Sequence, residues 1–134
     1  MLKANFITAQ EAAEKIQDGS TLCTIGMTLV SASESILKAI EKRFETVGHP
    51  SNLTLLHSCG QSDRKDGIQH LAHEGLVKRI VGSHWGLQPR WMEMIANSQV
   101  EAYCLPQGQI AQLYRSMACG LPGKMSKVGL GTFI

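Results

Sequence analysis

Residues 105–108, with the sequence Leu-Pro-Gln-Gly, lie where a chain can do chemistry. An apolar, strand-like run (residues 100–104) precedes them and a helix-like run (residues 109–119) follows. Such a turn lies at the carboxyl end of a strand, where the next helix offers unpaired backbone N–H groups and its positive dipole end. The amide of Gln107 would add a neutral donor, which suits a developing oxyanion or a polar carbonyl. Capping of backbone groups by Gln107 is the alternative.

A second candidate is the pair His84-Trp85, which follows the strand-like run of residues 77–83 and lies between Gly82 and Gly86. Glycines allow the backbone to approach a ligand closely. The two side chains would then form a wall of a substrate pocket at the carboxyl edge of a sheet. A turn held by a buried tryptophan is the competing interpretation.

Phosphate-loop and metal-site patterns are weak in this chain. Gly26 follows a strand-like run, but residues 26–30 hold a single glycine and match neither the dinucleotide fingerprint nor the P-loop. His70 and His73 share a possible helical face with Glu74, but no third ligand stands at a known metal-site spacing. We therefore predict a plain strand-to-helix connection at Gly26 and no metal.

Nucleophilic catalysis by a serine or a cysteine is not indicated either. The sequence has no G-x-S-x-G elbow. We do not predict a nucleophilic pair of Cys59 with His57 either. The four cysteines, Cys23, Cys59, Cys104 and Cys119, share no C-x-x-C spacing. Cys23, Cys59 and Cys104 lie in or beside apolar runs and are expected to be reduced and buried, as in a cytoplasmic protein.

Short apolar runs alternate with amphipathic runs along the whole chain. The predicted strands cover residues 21–25, 53–57, 77–83 and 100–104, and a fifth begins at residues 127–130. Capping boxes at Thr8/Glu11 and Ser31/Glu34 start two helices, and two more cover residues 90–97 and 109–119. We predict a long loop over residues 58–69 and a helical turn at residues 71–75. This alternation predicts one α/β domain, residues 1–134, with an open, mostly parallel sheet and flanking helices.

Composition narrows the classes of function. The chain has 134 residues, 43% of them hydrophobic, 18% charged, and a formal net charge of +2. This charge is too weak and too evenly spread to argue for nucleic acid as a partner. No secretory signal is visible and no apolar run approaches the ~20 residues of a membrane span, so we predict no membrane and a cytoplasmic location. The apolar end at residues 128–134 leads us to expect a truncated piece of a longer polypeptide.

Five segments, taken in order, resemble family I coenzyme A transferases, and in particular the α half of single-chain acetate/propionate/3-oxoacid CoA-transferases. These segments are residues 52–56, 72–78, 82–87, 101–108 and 128–133. The resemblance implies a CoA-transferase sheet, related to sugar-phosphate isomerase folds. It also implies transfer of CoA from a short-chain acyl-CoA to a free carboxylic acid, as in ketone-body or short-chain fatty-acid metabolism. Coenzyme A is then a substrate, and no permanently bound cofactor is expected.

Enzymes of this family use a glutamate that attacks the thioester, forms an acyl–glutamyl anhydride and is then captured by CoA as an enzyme thioester. The glutamine of the family's P-Q-G segment helps to hold the thioester oxyanion, and it matches Gln107. The resemblance also assigns further residues to the substrate pocket: Gly26, Met27, Thr28, His84, Trp85 and Gly108.

Two departures from the family pattern matter. The early G-G-F signature appears here as Gly26-Met27-Thr28, and the E-N-G segment with the nucleophilic glutamate is absent. Glu74-Gly75 is not that segment, because it belongs to the α half's own pattern. We therefore predict that this chain alone is inactive, that a β half completes the site, and that the enzyme is a homo-oligomer. The alternatives are a non-catalytic CoA- or acid-binding domain of the same fold and, less favoured, a sugar-phosphate sensor.

Overall fold

A computed structural model describes residues 4–132 of the chain. Its strands are β1 (Thr21–Thr24), β2 (Leu53–His57), β3 (Val77–Gly82) and β4 (Glu101–Cys104). Its helices are α1 (Ala9–Glu14), α2 (Glu34–Val47), α3 (Pro89–Ala96) and α4 (Gln107–Ala118), with a 3₁₀ helix at Gly67–Leu71. The predicted alternation of strands and helices, and with it the α/β class, is confirmed.

The four strands form one parallel sheet in the order β1-β2-β3-β4. Each strand therefore lies beside the next one along the chain. Crossovers between parallel strands are almost always right-handed, so the connections between these strands fall on the same face of the sheet. The expected open, mostly parallel sheet is confirmed, and all four carboxyl ends meet at one edge.

The hydrophobic core lies between that face and its helices. Leu55 of β2 and Ile80 of β3 are register partners at its centre, and both are fully buried. Trp91 of α3 is also fully buried, and its Nε1–H donates to the Ile68 carbonyl at 2.9 Å. The helices α1, α2 and α3 and the 3₁₀ helix contribute further members: Ala13, Leu37, Ile40, Ile68, Leu71, Trp91 and Met94. One core thus joins α1–α3 to the sheet.

The second face of the sheet is only partly covered by the described residues. Cys23, which was predicted to be buried, is exposed, and Cys59 and Cys104 are only partly buried. Tyr103 of β4 is 47% exposed there, beside an ion pair in which Arg79 Nε lies 2.7 Å from Glu101 Oε2. Helix α4 starts at the end of β4, yet its Tyr114 interacts with Cys23 of β1. Helix α4 therefore runs back across the sheet toward β1.

The first predicted capping box is confirmed and the second is wrong. Glu11 N donates to Thr8 Oγ1 at 3.2 Å, and Thr8 N donates to Glu11 Oε2 at 2.7 Å. Helix α2 instead starts after Ser33, without a side-chain cap. The Glu34 carboxylate accepts a hydrogen bond from Gly67 N at 3.0 Å, so a contact distant in sequence has taken the oxygen that a capping box would use.

Two more local predictions are wrong. Residues 127–130 form a turn, closed by a hydrogen bond from Leu130 N to the Lys127 carbonyl, and no fifth strand occurs in residues 4–132. The helical turn expected at residues 71–75 lies earlier, as the 3₁₀ helix Gly67–Leu71. Across residues 4–132, no helix is long and apolar enough to cross a bilayer.

Candidate active site

Four loops meet at the carboxyl edge of the sheet and are tied to one another through backbone groups. Thr28 N donates to the Gly60 carbonyl at 2.8 Å, which joins the loops after β1 and β2. Cys59 N donates to Ser83 Oγ at 2.9 Å, which joins the loops after β2 and β3. Leu105 N donates to the Gly82 carbonyl at 2.8 Å, which ties the start of the last loop to the end of β3. These links make a continuous rim along the edge.

Gln107 stands at one end of this rim. It is the first residue of α4, directly after Pro106, and it is exposed. Its side chain caps no backbone group in the described part of the chain, so the capping alternative has no support. Gly108 is also exposed, with open space where a side chain would project. Gln107 is thus free to contact a ligand beside the positive end of the helix.

The loop after β1 stands at the other end. Met27 N and the Val30 carbonyl are 3.1 Å apart, and Val30 N donates back to the Met27 carbonyl at 2.9 Å. At Gly26, a Cβ atom would lie 2.9 Å from the Val30 carbonyl oxygen, and φ is +151°, so this tight turn needs glycine. The turn presents Met27, which is 62% exposed, and Thr28 to solvent.

The sheet order separates these two groups of residues. β1 and β4 lie at opposite ends of the sheet, three strand spacings or about 14 Å apart. The ends of β4 and β1, which Gln107 and Thr28 follow, therefore lie near different parts of any ligand that binds along this edge.

His84 and Trp85 follow β3 and lie between those ends. The exposed His84 imidazole packs against two glycines: a Cβ on Gly60 or on Gly86 would lie 2.9 or 2.7 Å from it. Trp85 is half-buried against the core, and its Nε1–H donates to His57 Nε2 at 3.1 Å. Trp85 is thus anchored but only partly buried, so the competing interpretation of a turn held by a buried tryptophan is met only in part. A contact of His84 or Trp85 with substrate stays a prediction.

His57 was considered from the sequence only as a partner for the Cys59 thiol. The structure instead places its Nδ1 2.9 Å from the Cys59 carbonyl oxygen. The ring is fully buried, and this burial lowers the pKa of His57 to about 4. Gly82, on the neighbouring strand, leaves room for the ring. Only the register of β2 against β3 shows this pairing, so a single sequence carries no signal for it.

A cluster of charged side chains lies between α2 and the 3₁₀ helix, and the local sequence does not predict it either. His70 Nε2 lies 2.8 Å from Glu34 Oε1 and 3.3 Å from Asp66 Oδ1, and its Nδ1 contacts Glu41. Burial opposes the charged imidazole, but the hydrogen bonds and charges of Glu41 and Glu34 outweigh it and raise the pKa of His70. Spacing near His70 does not indicate these carboxylates, because most of them come from another helix.

This donor set resembles a divalent-cation site in composition. Lys38 Nζ, however, lies 3.1 Å from Glu34 Oε1 and 3.3 Å from Asp66 Oδ1. The ammonium group thus already supplies positive charge to both carboxylates. A second group of possible ligands, Glu41, Glu45 and His73, has the Arg90 guanidinium beside it, 3.4 Å from Glu41 Oε1. Neither group by itself indicates a metal.

The described residues line a cavity beside the start of α4 and another between α1 and α2. One of about 170 Å³ adjoins the start of α4 and is lined by Leu105, Pro106, Gln109, Leu113, Lys124, Ser126 and Val128. A larger one of about 310 Å³ lies between α1 and α2. The Arg43 guanidinium lines it but is engaged by the Ala13 and Ile16 carbonyls at 2.7 and 2.9 Å. The candidate catalytic and substrate-binding residues lie along the rim and do not line the larger cavity.

Comparison with known proteins gives consistent matches. The sequence model of the family "Coenzyme A transferase" matches residues 6–134. Caffeate CoA-transferase from Acetobacterium woodii is 40% identical over 132 residues, which are 98% of this chain and 25% of that protein. The alpha subunit of acetate CoA-transferase from Escherichia coli is 23% identical over 133 residues, which are 99% of this chain and 58% of that protein.

A solved structure also matches closely. The acyl-CoA transferase YdiF from Escherichia coli, determined as a thioester complex with CoA, superposes with a TM-score of 0.87 at 36% identity. The match covers 95% of this chain and 26% of the YdiF chain. This chain therefore spans about a quarter of the length of both the caffeate CoA-transferase and YdiF.

Proposed function

Because the chain belongs to the coenzyme A transferase family and corresponds to its α half, we propose that it is the α part of an acyl-CoA:carboxylate CoA-transferase. The complete enzyme moves CoA between a short-chain acyl-CoA and a free carboxylic acid. The observation that carries this proposal is the family match over residues 6–134. Gln107, which the sequence resemblance assigns to the P-Q-G segment, is exposed at the start of α4 on the carboxyl edge and supports it.

The reaction in this proposal uses a glutamate from a β half. Its carboxylate oxygen attacks the thioester carbon, CoA leaves as a thiolate, and a mixed acyl–glutamyl anhydride remains. The thiolate then attacks the glutamyl carbonyl, which releases the first acid and leaves a glutamyl–CoA thioester. The second acid takes these steps in reverse and leaves as the new acyl-CoA, which is covalent, ping-pong catalysis.

Gln107 supplies electrostatic stabilisation in this scheme. When the glutamate attacks, the thioester oxygen becomes an oxyanion, and a fixed amide N–H beside it lowers the barrier without transferring a proton. The amino-terminal end of α4 adds its unpaired backbone N–H groups and the positive end of the helix dipole.

The remaining rim residues serve the rest of the substrate. The ends of β4 and β1 lie about 14 Å apart along the edge, a length suited to an elongated acyl-CoA that contacts Gln107 and Gly108 at one end and Gly26, Met27 and Thr28 at the other. His84 and Trp85 would form the wall between these ends. An anhydride hydrolyses in water, so the exposed edge must be closed during turnover. We assign that closure to the β half, either in the same polypeptide, whose copies would form a homo-oligomer, or as a separate β subunit.

The test is CoA exchange between acetyl-CoA and propionate, measured for this chain alone and together with its β half. We expect activity only with the β half, and a fall in kcat/KM of about 10²–10³-fold for Gln107→Ala, because one oxyanion donor is removed. Gln112→Ala, on an exposed position of the same helix, is the matched control and should stay near wild type.

Two results would overturn the proposal. One is transferase activity of the isolated chain, and the other is an equal response to the Gln107 and Gln112 substitutions. Thermal stabilisation by acyl-CoA without turnover in the presence of a β half would instead support a non-catalytic binding domain. Stabilisation by sugar phosphates alone would point to the related isomerase-like function.

A further inference from the structure

We propose that His57 is a positioning residue of this site, which holds the Trp85 indole and, through the turn after β3, the exposed His84 imidazole at the carboxyl edge. The inference deepens the proposed function, because the site it positions is the CoA-transferase rim. The geometry that carries it, however, is independent of any activity.

Both ring nitrogens of His57 have a partner. Nδ1 lies 2.9 Å from the Cys59 carbonyl oxygen, which can only accept, so Nδ1 carries the proton. Nε2 lies 3.1 Å from Trp85 Nε1, which can only donate, so Nε2 is the unprotonated acceptor. The two contacts thus select one neutral tautomer, and they join the loops after β2 and β3 through a single ring.

Packing holds the ring in place. His57 is fully buried, and a Cβ atom on Gly82 would lie 2.3 Å from its Nε2. The imidazole therefore fills the space over the backbone of β3 that a side chain would otherwise occupy. Ring rotation is blocked on that side, and the direction of the acceptor toward Trp85 is fixed.

The position of His84 depends on this arrangement. His84 directly precedes Trp85 and lies beside Gly60 and Gly86, neither of which has a side chain to hold it. The indole is thus the anchored neighbour of the exposed imidazole. Burial, together with the charge of His84, lowers the pKa of His57 to about 4, so Nε2 remains an acceptor at neutral pH.

The test uses the complete enzyme with ¹⁵N-labelled tryptophan indoles, assigned with Trp85→Phe and Trp91→Phe. Trp91 is the internal control, because its Nε1–H donates to the Ile68 carbonyl rather than to His57. His57→Phe keeps a ring but removes the acceptor. We expect exchange of the Trp85 indole hydrogen to accelerate about tenfold or more, with Trp91 unchanged.

Activity and a conservative variant complete the test. His57→Phe should lower kcat/KM by about 10–100-fold, because a shift of about 1 Å in a positioning group has effects of this size. His57→Gln offers an amide oxygen as acceptor, and it should restore most of the Trp85 protection and of the activity.

The outcomes separate the inference from the proposed function. Unchanged exchange at Trp85 in His57→Phe overturns the inference. The inference is also overturned if hydrogen exchange accelerates equally at the Trp85 and Trp91 indoles and His57→Gln does not reverse this. His57 would then contribute only to general stability. A wild-type enzyme without CoA transfer would refute the proposed function and leave the indole result standing.

Discussion

Replacing Gly82 by alanine tests how tightly the ends of β2 and β3 pack around His57. The new Cβ would lie 2.3 Å from His57 Nε2, 2.6 Å from Cε1 and 2.9 Å from Cδ2. Carbon atoms do not approach ring atoms so closely, so the imidazole must move by roughly 1 Å. The ring cannot move this far and keep both of its hydrogen bonds.

The expected loss of stability has two parts. Overpacking a well-filled core costs about 1–3 kcal/mol. Displacement of the ring also breaks its hydrogen bonds to Trp85 Nε1 and to the Cys59 carbonyl, at about 1 kcal/mol each. We therefore expect Gly82→Ala to lower the free energy of unfolding by about 3–5 kcal/mol, a large part of a typical domain's stability.

Urea unfolding followed by circular dichroism measures this change. Gly108→Ala is the matched control, because nothing lies within 4 Å of its added Cβ and alanine favours helix by about 0.5–1 kcal/mol. Gly82→Ala combined with His57→Ala should cost less than the two single changes together, since the clash disappears with the ring. A Gly82→Ala protein within about 0.5 kcal/mol of wild type would refute this close packing of β3 against the ring.

Two other expectations concern the first helix and the charged cluster. Thr8→Ala removes the cap of α1 and should lower the free energy of unfolding by about 1 kcal/mol in the same assay. Thr46→Ala, at an exposed position inside α2, is the control and should lower it clearly less. Equal losses of stability in the two variants would show that Thr8 does not cap the helix. The pKa of His70 is raised: burial opposes its charge, but contacts with Glu41 and Glu34 prevail. Its stabilising contribution is therefore complete below the ordinary value of 6.5 and is lost as pH rises through the raised pKa. His70→Asn should flatten the decline of unfolding free energy above pH 6.5, and identical pH profiles of variant and wild type would refute this.

The strands and their order of appearance were predictable because local sequence encodes them. β2 and β3 are short apolar runs between turn residues, and the helices between strands carry periodic apolar residues. The Thr8 cap was also predictable, because a capping box involves residues only three apart. Candidate residues at strand ends, such as His84 and Gln107, follow from the general rule that parallel strands place their carboxyl ends at one edge.

Contacts between segments that are distant in the sequence could not be predicted in this way. Glu34 looked like a helix cap, but its carboxylate binds Gly67 N and the His70 ring, which lie more than 30 residues away. His57 looked like an ordinary strand residue, because its partner Trp85 is 28 residues away. Side-chain choices of this kind depend on register and on the packing of whole elements, which short sequence windows do not contain.

The strand order links the candidate oxyanion donor to a distant part of the sheet. Gln107 begins α4 at the β4 end, and Tyr114 of the same helix lies beside Cys23 of β1 and Ser58 after β2. Seven residues of helix span about 10 Å, which covers two of the three strand spacings between β4 and β1, and the tyrosine side chain reaches the rest of the way. Burial of Tyr114, with the neighbouring Cys23 thiol, raises the pKa of this phenol to about 12 and keeps it neutral in that contact. Since a short helix behaves as a rigid unit, the packing of Tyr114 against β1 and the loop after β2 helps to fix the position of the helix start that carries Gln107.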